Sequence, residues 1–206
     1  DNHAVGQALE RRITARGGRA VIDRLNFAVG AGEGLAVVGG NGAGKSTLLA
    51  AIAGVLAPRA GRIEIDGIEV WGARGAAARR LLGYAPESGD APGHLTCAEL
   101  LALVGACRGV APALAPDVHA ALALDDLAGR RLDQLSLGQR RRACVAAALL
   151  GSPPLLVLDE PDNGLAPSTL GALAALLRTY PGAVVLASHD EAFTAAVDAR
   201  PLRLGP

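Results

Sequence analysis

Gly39-Gly40-Asn41-Gly42-Ala43-Gly44-Lys45-Ser46 follows the apolar run Leu35-Ala36-Val37-Val38 and leads into a run of helix formers, Lys45 to Gly54, that ends at its glycine. The octapeptide is a complete G-x-x-x-x-G-K-[ST] pattern. The strand-like run before it and the helix-like run after it are the context in which that pattern holds phosphate. Glycines at 39, 40, 42 and 44 let backbone N–H groups converge on phosphate oxygens without side-chain obstruction. A helix starting at Lys45 adds the partial positive charge of its N-terminus. The spacing predicts a site for a nucleoside triphosphate, ATP or GTP, contacted by Gly39, Asn41, Gly42, Ala43, Gly44, Lys45, Ser46 and Thr47. Lys45 is expected on the β- and γ-phosphates and the Ser46 hydroxyl on Mg²⁺.

Outward from this loop the pattern is that of an α/β chain. Ala20 to Val29 and Leu35 to Val38 read as strands separated by the turn Gly30-Ala31-Gly32-Glu33-Gly34. Arg62-Ile63-Glu64-Ile65, Asp66-Gly67 and Ile68-Glu69-Val70 alternate with period two around a dipeptide favoured by type I′ turns, which predicts a hairpin. From about Leu95 to Leu150 the chain turns to alanine and leucine at helical spacing, and Thr96-Cys97-Ala98-Glu99 forms a capping box that starts a helix there. Pro112, Pro116, Pro153 and Pro154 interrupt or close this helical stretch. Leu155-Leu156-Val157-Leu158 has no polar alternation, as a central strand covered on both faces requires, and it ends in Asp159-Glu160. A helix over 168–178, the turn Pro181-Gly182 and the strand Ala183-Val184-Val185-Leu186 repeat the β-α-β order and lead to Ser188-His189-Asp190.

Bulk properties narrow the partners. The 206 residues are half hydrophobic, enough for one compact domain with an inserted subdomain, and no internal repeat or low-complexity linker is visible. Twenty basic side chains balance twenty acidic ones, so no overall field draws nucleic acid or an anionic membrane surface. Cys97, Cys107 and Cys144 are odd in number and lack C-x-x-C spacing, which predicts buried thiols in a reducing compartment and neither a disulfide framework nor a zinc site. No apolar run approaches the roughly 18 residues needed to cross a bilayer, so a chain soluble by itself is expected. The sequence begins at Asp1 and not at Met, and nothing is drawn from its first eight residues.

Ligands of open α/β sheets bind at the carboxyl ends of the strands, so the phosphate loop, Asp159-Glu160 and His189 are expected to meet. Such a set supplies what phosphoryl transfer to water needs. Asp159 would complete a Mg²⁺ shell, Glu160 would orient and partly deprotonate the water, and His189 would hold that water or polarise the γ-phosphate. Leu135-Ser136-Leu137-Gly138-Gln139, ahead of Arg140-Arg141-Arg142, again has Ser and Gln three apart, which predicts a capped helix N-terminus with free N–H groups.

With these motifs in hand, the chain from about residue 10 onward resembles the nucleotide-binding domain of the ABC (ATP-binding cassette) family. Leu135 to Gln139 looks like the family signature Leu-Ser-Gly-Gly-Gln, Tyr84-Ala85-Pro86-Glu87 like its Q-loop, Glu160 to Ala166 like the catalytic glutamate and D-loop, and Ser188-His189-Asp190 like its H-loop. The resemblance implies a P-loop NTPase, RecA-like core with an N-terminal antiparallel β subdomain over 1–86 and 149–206, and an inserted α-helical subdomain over 87–148. It implies ATP and Mg²⁺ as ligands, with Ser46, Glu87 and Asp159 on the metal and Glu160, His189 and Lys45 as the catalytic group. Ser136, Gly138 and Gln139 would meet the ATP held by a second nucleotide-binding subunit, homo- or heterodimeric. The expected function is an ATPase that drives a separate integral membrane permease, an exporter, from the cytoplasmic face of the cell membrane, with no nucleic-acid partner.

The sequence departs from that family pattern at four places. Glu87 stands where Gln is usual, as in some drug- and polysaccharide-type exporters, and can still reach Mg²⁺. Leu137 replaces a signature glycine and Ala166 a D-loop aspartate, which bears on dimer closure and on coupling between the two sites. Arg16 falls where an aromatic ring stacks on adenine; a guanidinium plane can stack as well, at ~1 kcal/mol. Two other readings remain open from the sequence: a soluble ABC ATPase acting on ribosomes, and a degenerate regulatory cassette in a heterodimer.

Overall fold

The computed structural model describes residues 13–14, 20–22 and 25–205. Its centre is a five-stranded, all-parallel sheet made of β3 (Gly34–Val38), β6 (Leu82–Ala85), β7 (Leu155–Asp159), β8 (Ala183–Ala187) and β9 (Ala199–Arg203), in the order β6-β7-β8-β3-β9. The continuous apolar runs of β3, β7 and β8 explain their central places, because each must be covered on both faces. Along these strands alternate residues enter two separate cores. Leu35, Val37, Leu155, Val157, Ala183 and Val185 pack with α1 (Lys45–Ile52) on one face. Ala36, Leu156, Leu158, Val184 and Leu186 pack on the other with α5 (Leu137–Leu149), α6 (Pro167–Arg178) and α7 (Glu191–Ala196). The result is a three-layer α/β sandwich.

Two small antiparallel pairs accompany it. β1 (Ile13–Thr14) pairs with β2 (Ala20–Ile22), and β4 (Glu64–Ile65) with β5 (Ile68–Glu69). The second pair turns through Asp66 at φ 52 and Gly67 at φ 69, the two positive values of the type I′ turn expected there. The expected strand over 20–29 is much shorter: β2 ends at Ile22, and 25–30 carry no regular structure, although Val29 is buried.

The helical stretch contains α3 (Cys97–Arg108), α4 (Pro116–Ala121), a 3₁₀ turn over Leu132–Gln134 and α5. Both capping boxes form. The Thr96 and Ser136 hydroxyls each accept from the N–H three residues on, and the Glu99 and Gln139 side chains reach back to the cap N–H. Pro116 does not interrupt a helix; it is the first residue of α4, where the missing N–H costs nothing. Elements that the sequence pattern did not signal are β1, α2 (Gly75–Arg80), β6, α7 and β9.

Candidate nucleotide site

The parallel register brings the carboxyl ends of four strands level. Asp159 of β7 stands opposite Ala187 of β8, which in turn stands opposite Val37 of β3, and β6 runs alongside β7. The segments that leave these ends enclose a cleft of about 410 Å³, within the usual range for small-molecule sites. Asn41, Gly42, Gly44, Lys45, Ser46 and Thr47 come from the phosphate loop, Glu87 from the segment after β6, Glu160 from the end of β7 and His189 from the end of β8.

The loop is already shaped for an anion. Gly42 and Gly44 take φ values of 80 and 96, left-handed conformations that glycine adopts at no Cβ cost, and Gly44 caps α1. Ala43 N–H donates to the Gly40 carbonyl at 3.1 Å and closes the loop. Lys45 is 8% exposed, and its Nζ donates to the Gly39 carbonyl at 3.0 Å and the Gly40 carbonyl at 3.4 Å, so the ammonium sits inside the cradle.

Opposite the loop, the chain makes an abrupt turn at Glu160, a non-glycine residue at φ 50, where backbone strain is sustained by its surroundings. Glu160 N–H donates to Ala187 O at 2.9 Å, which extends the β7–β8 ladder by one residue and fixes the side chain. Its carboxylate accepts from the His189 backbone N–H at 3.3 Å and lies 3.4 Å from His189 Nε2. Burial holds the Glu160 carboxyl above its ordinary pKa, with the His189 ring drawing it back down. A raised pKa makes the carboxylate a better proton acceptor near neutrality. His189 itself is half-exposed toward the cleft, while Asp190 caps α7 by accepting from Ala192 and Phe193 N–H.

Asp159 is almost fully buried, and its Oδ1 has no hydrogen-bond partner. Burial chiefly, then the neighbouring Glu87 and Glu160 carboxylates, raise its pKa from the ordinary 3.8 to about 6, against the Ser46 hydroxyl and Lys45. An orphaned carboxylate oxygen beside Ser46 and near Glu87 is what a hard divalent cation would satisfy. Among the described residues no cluster of three His, Cys, Asp or Glu side chains could hold a metal alone. That fits Mg²⁺, which takes most of its ligands from phosphate and water.

A carboxyl whose pKa is higher folded than unfolded binds more protons in the folded chain. Its favourable contribution is therefore present below about pH 4 and is lost as pH rises through about 6. Asp159→Asn is accordingly expected to raise the Tm of the nucleotide-free, metal-free protein, with little gain at about pH 3.5, about a third of it at about pH 4.5 and the full gain by about pH 7.5. Thermal melts across that range check it, and a variant melting below the parent at pH 7.5 would contradict this account of Asp159.

A family model described as ABC transporter matches residues 22–163 of this chain. The chain belongs to the ABC transporter family. It is the nucleotide-binding domain of that family, an ATPase that binds ATP. Over 94% of its length it is 39% identical to the hemin import ATP-binding protein HmuV of Nocardia farcinica, of which it covers 70%. It is also 37% identical to the Nod factor export ATP-binding protein I of Rhizobium sp. (strain N33), over 73% of this chain, and the matched stretch spans about half of that protein at 51%. A solved ATP-binding subunit of an ABC transporter superposes with TM-score 0.82 at 28% identity, covering 92% of this chain and 81% of the other.

The remaining site candidates of the cassette lie elsewhere. Ser136, Gly138 and Gln139 do not line the cleft; they form the first turn of α5, with Leu137 at 59% exposure beside them. Arg16 lies outside the described residues. One polar residue that the sequence reading passed over does touch the machinery: Arg141, 3% exposed, reaches the segments that carry Glu87 and Glu160.

Proposed function

We propose that the cassette binds ATP with its triphosphate in the cradle of residues 39–47 and hydrolyses it with Glu160 as general base. The observation that carries this is the meeting, in one cleft, of the Lys45 ammonium with a buried carboxylate whose two oxygens both face His189. Lys45 draws charge from the β- and γ-phosphates, Glu160 takes a proton from the attacking water, and His189 orients the two. Ser46, Asp159 and Glu87 would hold Mg²⁺, which when bound neutralises charge on the phosphate oxygens.

In this reading residues 1–86 and 149–206 act as the nucleotide core and 87–148 as a helical arm. The exposed first turn of α5 serves the ATP of a second cassette, of the same or a different chain, so closure on two ATP molecules precedes hydrolysis. That turn carries its capping box and lies outside its own chain's cleft, as such a role requires. Among the described residues no helix is long and apolar enough to cross a membrane. In the same reading the force-generating cycle drives a separate membrane permease at the cytoplasmic face, a reading supported by the similarity to import and export ATP-binding proteins. Export is the direction we adopt, on Glu87 in the Q-loop position.

The test is affinity purification of Glu160→Gln with ATP from detergent-solubilised cells. A polytopic membrane protein in stoichiometric yield is expected, and transport by inverted vesicles containing it fixes the direction. Ribosomal proteins with no membrane subunit would overturn the permease reading.

A further inference from the structure

Arg140, Arg141 and Arg142 form a run that usually marks a solvated face, yet all three grip backbone carbonyls and only Arg141 is buried. Its guanidinium forks. Nη1 donates to Asn163 O at 2.8 Å, in the segment after Glu160, and Nη2 donates to Glu87 O, in the segment after β6. Among the described residues no carboxylate lies within ion-pair distance of it, and its Nε is buried without a partner. A buried cation hydrogen-bonded only to carbonyls is costly, and the Asp162 carboxylate, which Arg141 helps to keep ionised, offsets that cost in part.

The same helix touches the same segment one turn earlier. A Cβ on Gly138 would lie 2.4 Å from Gly164 O, so only glycine lets the start of α5 rest on this backbone. Beyond Arg141 a relay of backbone hydrogen bonds continues. Asn163 N–H donates to Glu160 O at 3.3 Å, and Glu160 N–H donates to Ala187 O at 2.9 Å. One guanidinium thus ties α5 to the two segments whose acidic side chains, Glu87 and Glu160, both line the cleft.

We propose that Arg141 is a positioning residue for hydrolysis: its forked contact with Glu87 O and Asn163 O sets the Glu160 carboxylate against the bound triphosphate. The inference rests on the assignment of Glu160 as base. Arg141 makes no hydrogen bond to the phosphate loop, so its loss is expected to act on the chemical step more than on nucleotide capture. Arginine is specified because a lysine ammonium has no rigid fork with which to hold two carbonyls in fixed relation.

The experiment compares parent, Arg141→Met, Arg141→Lys, Glu160→Gln and the Arg141→Met/Glu160→Gln double variant, using steady-state ATP turnover, equilibrium binding of a fluorescent ATP analogue, and thermal melts. Arg141→Met is expected to stay folded with a lowered Tm, because Glu87 O and Asn163 O lose their donor, to bind nucleotide within about twofold of the parent, and to lose about 10- to 100-fold in kcat, the scale of a displaced catalytic group. Arg141→Lys is expected to fall with it, and decides alone by the same criteria if the methionine variant does not fold. The double variant should turn over no more slowly than Glu160→Gln, because both changes disable one group. Parent-like kcat, an equal loss of nucleotide affinity, or losses that multiply in the double variant would overturn the proposal. Parent protein that hydrolyses no ATP, or Glu160→Gln with full turnover, would instead overturn the function on which it rests.

Discussion

Glu160→Gln is expected to slow ATP turnover about 100-fold or more while leaving nucleotide affinity near that of the parent, the range over which a positioned general base acts. The substitution is nearly isosteric. A glutamine oxygen can still accept the His189 N–H that now reaches the carboxylate at 3.3 Å, and the left-handed turn at φ 50 is set by the backbone bond to Ala187 and not by the side-chain charge. Basicity is lost, and it is the property that burial enhances here by holding the carboxyl pKa above its ordinary value. Steady-state hydrolysis and equilibrium nucleotide binding on the same preparation separate the two effects. Turnover comparable to the parent would remove Glu160 from the role of base and pass it to another cleft residue.

The parts of this fold that were legible in the sequence are those whose local pattern and tertiary place agree. β3, β7 and β8 are apolar runs because they are central, and each ends in chemistry because parallel strands present their carboxyl ends together. The elements that escaped reading have a tertiary cause. β6 carries a glycine in a strand, which reads as a weakness, yet a Cβ there would meet Ala148 O at 1.9 Å, and the residue exists to let α5 approach. β9 contains Pro201 and two arginines and is acceptable because, among the described residues, it is an edge strand with one neighbour, β3. α7 has six residues, too few to show a period, and its cap Asp190 was read as part of a loop motif.

The site divided along the same line. The phosphate loop, Asp159-Glu160 and His189 were visible as residue types at strand ends, and the structure gathers the lining ones in a single cleft. Arg141 was not, because a charge within a three-arginine run carries no signal of burial. Its place is set by two loops that come from residues 54 and 22 positions away. Such long-range contacts leave no periodicity behind.

Lys45→Ala is expected to have the opposite signature to Glu160→Gln, abolishing nucleotide binding at working concentrations while the protein remains folded. The ammonium is buried and already directed into the cradle by Gly39 O and Gly40 O, so little ordering is required when phosphate arrives. Charge-assisted contacts are worth about 1.5–3 kcal/mol each, and loss of two, to the β- and γ-phosphates, corresponds to about 100-fold or more in affinity. The two carbonyls would then face the triphosphate with no cation between them, which adds repulsion to the lost attraction. Helix α1 itself should survive, since alanine at its first position is at least as good a helix former as lysine and Leu48, Leu49 and Ile52 keep their core contacts. Nucleotide titration with a melt as control makes the comparison. Retained affinity in a folded Lys45→Ala protein would contradict the assignment of residues 39–47 as the triphosphate cradle, whereas lost affinity here beside retained affinity in Glu160→Gln would divide the cleft into a wall that captures and a wall that hydrolyses.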